Sequence, residues 1–170
     1  MNAEKLRQDL LLLNRYEEAG KRFYELYGRE MDYTHYYYMT RHGSSQESLE
    51  LLGTETADVE RAAFREHFIA SYRGNLPAEV FMSEDKNVEM EQLFRYIHMN
   101  RHMHDFLELV CVLNGTCVHS FGNHSSRHKT GDFTIIPPGL EHELFPSPDC
   151  LCITVKIRKE TFFQVFSQII

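Results

Sequence analysis

The chain has 170 residues, which is enough for one domain, or one domain with a helical extension, and for a hydrophobic core without disulfides. Hydrophobic residues make up 42%, no stretch approaches the roughly 18 apolar residues that cross a membrane, and no signal peptide is predicted, so a cytoplasmic location is expected. The formal net charge of −7 is a poor match to nucleic-acid phosphates and argues against DNA binding by this chain itself.

Residues 1–75 are predicted to form a helical N-terminal region. Apolar residues recur there at the spacing of one helix face, and a glycine follows as the predicted helix end. The residues concerned are Leu6, Leu10, Leu13, Phe23, Tyr27 and Gly28. A second helix is expected over residues 55–72, closed by the glycine and proline that follow it.

Residues 76–158 change to short strand-like runs separated by turn signals, of which the Asn114–Gly115 dipeptide is the strongest for a hairpin. Strands are predicted at residues 94–99, 106–113, 116–121, 133–136, 142–145 and 151–157. Strands at this spacing favour an all-β barrel or sandwich. His119, on the return strand of the hairpin, and His124 and His128, in the polar stretch after it, are expected to be exposed to solvent.

Residues 159–170 are predicted to form a helix that is apolar on nearly all sides. Such a helix needs cover from more than one direction. We therefore interpret it as the start of a dimerisation or linker helix, covered by a partner subunit or by sequence that a truncated chain lacks.

The four cysteines form no C-x-x-C pair and lie in apolar runs that resemble strands. Buried free thiols are therefore predicted, with metal ligation as the alternative. The residues are Cys111, Cys117, Cys150 and Cys152.

A constellation of histidine and glutamate carries the predicted chemistry. In one regular strand, the even-numbered residues from 102 to 112 share a face, so His102, His104 and Glu108 would project into the same interior. His142, which follows a Pro-Pro-Gly turn, would add a third imidazole from another strand. These ligands suit zinc, nickel, iron or manganese and leave coordination positions open. The spacing alone leaves open whether a metal is bound.

The same interior is expected to contact a small-molecule ligand through apolar and aromatic side chains. Phe106 and Val110 would form an apolar floor beside the metal ligands, and Tyr96 and His98 precede them with the same parity. A surface position is the alternative for His98. Asp105, of opposite parity, is expected to be structural.

Two spaced motifs now indicate a family. His102-x-His104-x3-Glu108-x6-Gly115 and Gly131-x5-Pro137-x-Gly139-x2-His142 resemble the two cupin motifs. Two positions depart from the family pattern: Tyr96 stands in place of a leading glycine, and Pro146 in place of a closing asparagine. The resemblance implies a mainly β fold, a cupin-type β-barrel (double-stranded β-helix), with N-terminal helices and a C-terminal helix.

A narrower resemblance covers residues 78–170. The stretches at 101–115, 131–139 and 154–162 are similar to the N-terminal effector domains of AraC-type transcriptional regulators. That similarity implies a small-molecule effector inside the barrel, a homodimer, no enzymatic activity, and DNA contact only through a C-terminal domain absent from this chain. The alternatives are a metal-dependent cupin enzyme, such as a dioxygenase or isomerase, and a structural cupin without a ligand.

Overall fold

The computed structural model describes residues 3–32, 75–76, 78 and 82–167. The helix predicted over residues 55–72 lies outside this part of the chain. The helices in it are α1 (Ala3–Leu11), α2 (Arg15–Tyr27) and α3 (Lys159–Phe166). The strands are β1 (Met31–Asp32), β2 (Asn75–Leu76), β3 (Val88–Leu93), β4 (Ile97–His104), β5 (Leu107–Asn114), β6 (Thr116–Phe121), β7 (His124–Lys129), β8 (Phe133–Ile136), β9 (His142–Pro146) and β10 (Leu151–Ile157).

The strands form two sheets, and the predicted mainly β fold with helices at both ends is confirmed. One sheet has the order β1-β4-β9-β6-β7, with β2 also paired to β4, and the other has the order β3-β10-β5-β8. Most pairs are antiparallel, and the chain passes between the sheets at several connections. This order fits the double-stranded β-helix expected of a cupin-type barrel.

The two sheets share one hydrophobic core. Val110, Val112 and Ile136 come from the four-stranded sheet, and Cys117 and Leu144 come from the other, yet all five belong to one buried cluster. Alternation along each strand explains this arrangement, because residues two apart point to the same face. All four cysteines are free thiols in the described part of the chain, and Cys111 alone is only partly buried.

The N-terminal helices are separate, where the apolar spacing predicted one continuous face. The first helix ends at Leu11, and Asn14 caps the second: its side chain accepts hydrogen bonds from Tyr16 N and Glu17 N, and the Glu17 carboxylate accepts one from Asn14 N. This capping box satisfies backbone donors that a helix start leaves unpaired. Gly28 ends α2 in the left-handed conformation at φ 65°, as predicted.

A buried ion pair holds α2 against the barrel. The Arg95 Nε lies 2.8 Å from Glu17 Oε1, and both side chains are at most 5% exposed. The Arg95 guanidinium also donates to the carbonyls of Leu11 and Leu12, just before α2 begins. Helix and barrel are thus joined by one fully paired cation.

Several features of the sheets differ from the prediction. Four strands, β1, β2, β3 and β7, were not predicted. The strand expected over 94–99 begins only at Ile97, because Arg95 and Tyr96 form a turn with Tyr96 at φ 64°. β7 carries no apolar residue, yet it pairs with β6 from His124 to Lys129. β7 is therefore a strand because its backbone pairs with β6, and not because it buries an apolar face.

Candidate functional site

The chain crosses between the two sheets in the middle of the predicted ligand motif. β4 ends at His104, residues 105 and 106 turn, and β5 begins at Leu107 in the other sheet. The single regular strand predicted over 102–112 is therefore wrong. The connection has two residues, so alternation survives it, and His104, Phe106 and Glu108 are all buried. Asp105 fixes the turn by accepting a hydrogen bond from Ala78 N at 2.8 Å, a structural role as expected.

The four predicted metal ligands converge in the barrel interior. One nitrogen from each of His102, His104 and His142 lies within 4.8 Å of the others. Pairing of β4 with β9 sets His142 directly across from His102. Glu108 arrives from the opposite sheet, with its Oε2 3.1 Å from His104 Nε2 and 3.5 Å from His142 Nε2.

Backbone carbonyls orient the three imidazole rings. His102 Nδ1 lies 2.6 Å from Asn100 O, His104 Nδ1 lies 2.8 Å from Phe106 O, and His142 Nδ1 lies 2.9 Å from Leu140 O. A carbonyl oxygen only accepts, so each Nδ1 carries a hydrogen. Each Nε2 is then left to face the interior as a possible ligand, which is the arrangement that tunes metal-binding histidines.

The electrostatics of the cluster favour a cation at its centre. Burial alone would raise the pKa of Glu108, but the His104 and His142 rings, whose Nε2 atoms lie 3.1 Å and 3.5 Å from Oε2, outweigh it and hold that pKa well below its usual range. Burial, helped by the nearby His142, lowers the pKa of His102 to about 4. Imidazole lone pairs and a carboxylate therefore meet in a buried space, where a divalent metal would satisfy all of them.

Two of the four predicted ligand contacts lie beside this cluster. Phe106 is buried and stacks on the His104 ring, with centroids 4.0 Å apart and planes 7° apart. Val110 is buried two residues beyond Glu108, in the shared core. Both therefore border the interior in the way the strand parity predicted.

The other two predicted contacts lie away from the cluster. A register shift in β4 between Met99 and His102 reverses the alternation, so His98 leaves the interior and stacks on Phe145 at 4.0 Å. His98 Nε2 also lies 3.4 Å from Glu143 Oε1. Tyr96 sits in the turn before β4 and packs on α2, with its ring 6.0 Å from that of Tyr24.

His119 is an interior residue that the sequence reading placed in solvent, and that prediction was wrong. It is 1% exposed, and its ring lies 5.4 Å from that of His142 and 6.2 Å from that of His128. Burial, followed by the charge of His142, lowers its pKa to about 4. Its parity with Cys117 along the predicted strand was the signal that could have identified it. His124 is exposed as predicted, and His128 is half-buried.

A tight space lies beside the cluster, too small in this structure to hold a water molecule. Its polar lining is formed by His119, His128 and Thr134, and Val110 and Leu144 contribute apolar walls. The interior thus combines a ligand cluster with a second, smaller polar region.

Comparisons with known proteins give one family match and several similar solved structures. Residues 91–169 match the family described as the AraC-like ligand binding domain, and no curated protein matches the chain. Similar solved structures include a cupin-2 domain containing protein from Shewanella frigidimarina, with 22% identity over 45% of this chain and 76% of that one, and a TM-score of 0.37. Another is an RmlC-like cupin family protein from Methanocaldococcus jannaschii, with 13% identity over 49% of this chain and 92% of that one, and a TM-score of 0.38.

Proposed function

Residues 91–169 are an AraC-like ligand-binding domain of the cupin superfamily, and on that premise we propose that the chain senses a small molecule for a transcriptional regulator. The effector would bind inside the barrel, and DNA would be contacted by another part of the regulator. No helix in the described part of the chain is long and apolar enough to cross a membrane. We propose a cytoplasmic location for this role.

The observation that carries the proposal is the convergence of three inward-facing imidazoles and one carboxylate. His102, His104, Glu108 and His142 would hold a divalent metal, namely zinc, nickel, iron or manganese. Such a set leaves coordination positions for an oxygen of the effector. Phe106 and Val110 would supply apolar contact, which is the usual composition of a small-molecule pocket.

The position of the ligands explains how binding could be transmitted. Three ligands lie on the β4–β9 sheet and Glu108 lies on the β5 sheet, so a bound metal would join the two sheets. An effector that prefers one relative arrangement of the sheets would shift the protein toward it. This shift in the arrangement of the two sheets would be transmitted to the protein surface by the strands that carry the ligands.

Metal binding by the purified chain tests this proposal. Elemental analysis is expected to find one divalent metal per chain, or to find one after metal is added to stripped protein. His142→Ala removes a ligand and should weaken the affinity by roughly 100-fold, since even supporting residues contribute 10–100-fold. His124→Ala, at an exposed histidine, is the matched control and should bind as the wild type does. Failure of the wild type to bind any of the four metals would reject the metal-containing pocket.

A metal-dependent cupin enzyme is the second candidate, because open coordination positions also suit catalysis. The two functions differ in what happens to the bound molecule. A sensor releases its effector unchanged, whereas a dioxygenase or isomerase converts it. Nuclear magnetic resonance of a bound compound after prolonged incubation with metal-loaded protein would separate them, and turnover would favour the enzyme.

A further inference from the structure

Lys156 is a buried cation on the inner face of the four-stranded sheet. Only 4% of its side chain is exposed, and its Nζ is paired with the Glu91 carboxylate on the neighbouring strand β3. A lysine is almost never buried to this degree without an anion beside it, because a desolvated charge is costly. The ion pair therefore accounts for the burial of Lys156, and the identity of the anion decides what the lysine can do.

Lys156 lies next to the proposed ligand site. It is the direct partner of Glu108 in the pairing of β10 with β5, and directly opposed residues project to the same face of a sheet. Its Nζ lies 6.0 Å from the centre of the Phe106 ring, which stacks on the His104 ring with centroids 4.0 Å apart. The sum of these two distances places the ammonium within about 10 Å of the His104 ring. A small molecule held at the metal ligands can therefore reach Lys156 with its other end.

The two partners of the ion pair differ in how they can move. The Lys156 side chain is enclosed, whereas the Glu91 side chain is 51% exposed and lies on an edge strand. Glu91 can therefore turn out into water at little cost in solvation, and its carboxylate then leaves a place that another carboxylate can take. Such an exchange needs no preformed cavity beside the lysine, because the incoming group occupies the volume that Glu91 gives up.

We propose that Lys156 is a recognition residue for a carboxylate group of the effector, which displaces Glu91 from the ammonium. The effector class is then a small acid with a metal-binding oxygen at one end and a carboxylate at the other. The new carboxylate would form a charge-assisted hydrogen bond with the ammonium, which is stronger than a neutral one. This assignment rests on the proposed sensing function and adds to it the residue that selects an anionic ligand.

The first test uses acetate as the probe and needs no metal. Glu91→Ala removes the carboxylate from Lys156 and should disfavour folding by roughly tenfold in the unfolding equilibrium. Acetate should then favour folding of this variant by roughly fivefold relative to chloride at the same ionic strength, since an anion that binds only the folded state stabilises it. Urea unfolding measures both effects.

Two variants control the response to acetate. Glu89→Ala removes the same charge from the same strand, but that carboxylate bonds to Lys86 and to Ser83 N, so acetate should act on this variant no more than on the wild type. Glu91→Ala combined with Lys156→Met should lose the response. If acetate stabilises Glu91→Ala no more than Glu89→Ala, a free carboxylate does not reach Lys156, and the assignment is overturned.

The second test is calorimetric titration of metal-loaded protein with succinate, glutarate and adipate, each compared with its monomethyl ester. The ester keeps one carboxylate for the metal and lacks the second charge. Wild type should bind at least one of the diacids roughly tenfold more tightly than its ester. Glu91→Ala should widen this preference, because the internal competitor is removed, and Lys156→Met should abolish it.

Opposite effects of these two substitutions distinguish anion exchange from a purely structural ion pair. A pair that only holds β3 to β10 is weakened by either substitution, so binding of the diacids would then change in the same direction in both variants. That result would overturn the assignment, as would the absence of a preference at every chain length in the wild type.

Metal content measured on the same samples separates this assignment from the proposed function. If the metal binds and the preference is absent, only the role of Lys156 fails. If no metal binds, the metal-containing pocket fails, and the response of Glu91→Ala to acetate alone decides whether Lys156 accepts a free carboxylate.

Discussion

Two glycines share one backbone conformation but differ in their surroundings. Gly28 and Gly115 have φ values of 65° and 70°, in the left-handed region that favours glycine. A Cβ on Gly28 would meet nothing within 4 Å, whereas a Cβ on Gly115 would lie 2.6 Å from the carbonyl oxygen of Asp149. Asn114 Nδ2 donates to that same oxygen at 2.9 Å, so the hairpin and the loop before β10 are held in close contact.

Substitutions at Gly28 and Gly115 separate the cost of backbone strain from the cost of a steric clash. Gly28→Ala should lower the free energy of unfolding by about 1–2 kcal/mol, the cost of a left-handed alanine. Gly115→Ala adds a clash with backbone atoms and should lower it by about 2–5 kcal/mol in total. Urea unfolding of the two variants measures the difference. Equal losses would show that the loop at Asp149 moves aside without cost.

Single residues also show which side chains of the site could be predicted from the sequence and which could not. The spacing of His102, His104 and Glu108 was enough to predict their convergence, because a two-residue connection preserves alternation even though the strand breaks. His98 has the same parity, but the register shift in β4 turns it to the other side of the sheet. Such a shift leaves no mark in the sequence, since it depends on pairing with β9.

At the scale of elements, a motif of a few adjacent residues leaves a pattern in the sequence, whereas pairing between distant strands does not. The Asn14 and Glu17 capping box and the Asn114–Gly115 hairpin are encoded within a few residues and are present in the structure. β7 is formed by pairing with β6 alone, so its polar sequence gave no hydrophobic pattern to recognise. For the same reason His119 was expected to be exposed on its strand, whereas β6 has a neighbouring strand on each side and His119 is buried.

The contact between α2 and the barrel depends on one buried ion pair, and its removal tests how the element is held. Arg95→Met leaves the Glu17 carboxylate buried without its charge partner and should lower the free energy of unfolding by about 3–5 kcal/mol. Glu17→Leu should cost a similar amount. The double variant should cost less than the sum of the two single variants, because it leaves no isolated charge.

An exposed ion pair on the same helix is the control for this experiment. Lys21 and Glu25 lie 3.9 Å apart with both side chains largely exposed, so Lys21→Met should change the free energy of unfolding by less than about 0.5 kcal/mol. Denaturant titration followed by circular dichroism measures all four variants. If Arg95→Met costs no more than Lys21→Met, the buried pair does not hold the helix.

At the scale of the whole molecule, the outer face of the four-stranded sheet is apolar from edge to edge. Met90, Val155, Leu109 and Ile135 are successive partners across β3, β10, β5 and β8. The outer two are 66% and 54% exposed, and Phe133 beside them is 63% exposed. A continuous apolar surface of this kind is typical of a protein interface. We propose that this face forms the homodimer expected from the family resemblance, rather than the C-terminal helix alone.

Sedimentation velocity over a range of concentrations tests which surface forms the dimer. The wild type is expected to sediment as a dimer, and Met90→Lys with Ile135→Lys should raise the dissociation constant by roughly 30-fold or more, as the loss of central apolar contacts does. His124→Lys, on exposed β7 of the other sheet, is the control and should leave the dimer intact. Phe163 on α3 is 57% exposed. If Phe163→Glu dissociates the dimer and the sheet variant does not, the helix is the interface, and a wild type that is monomeric throughout would reject the homodimer.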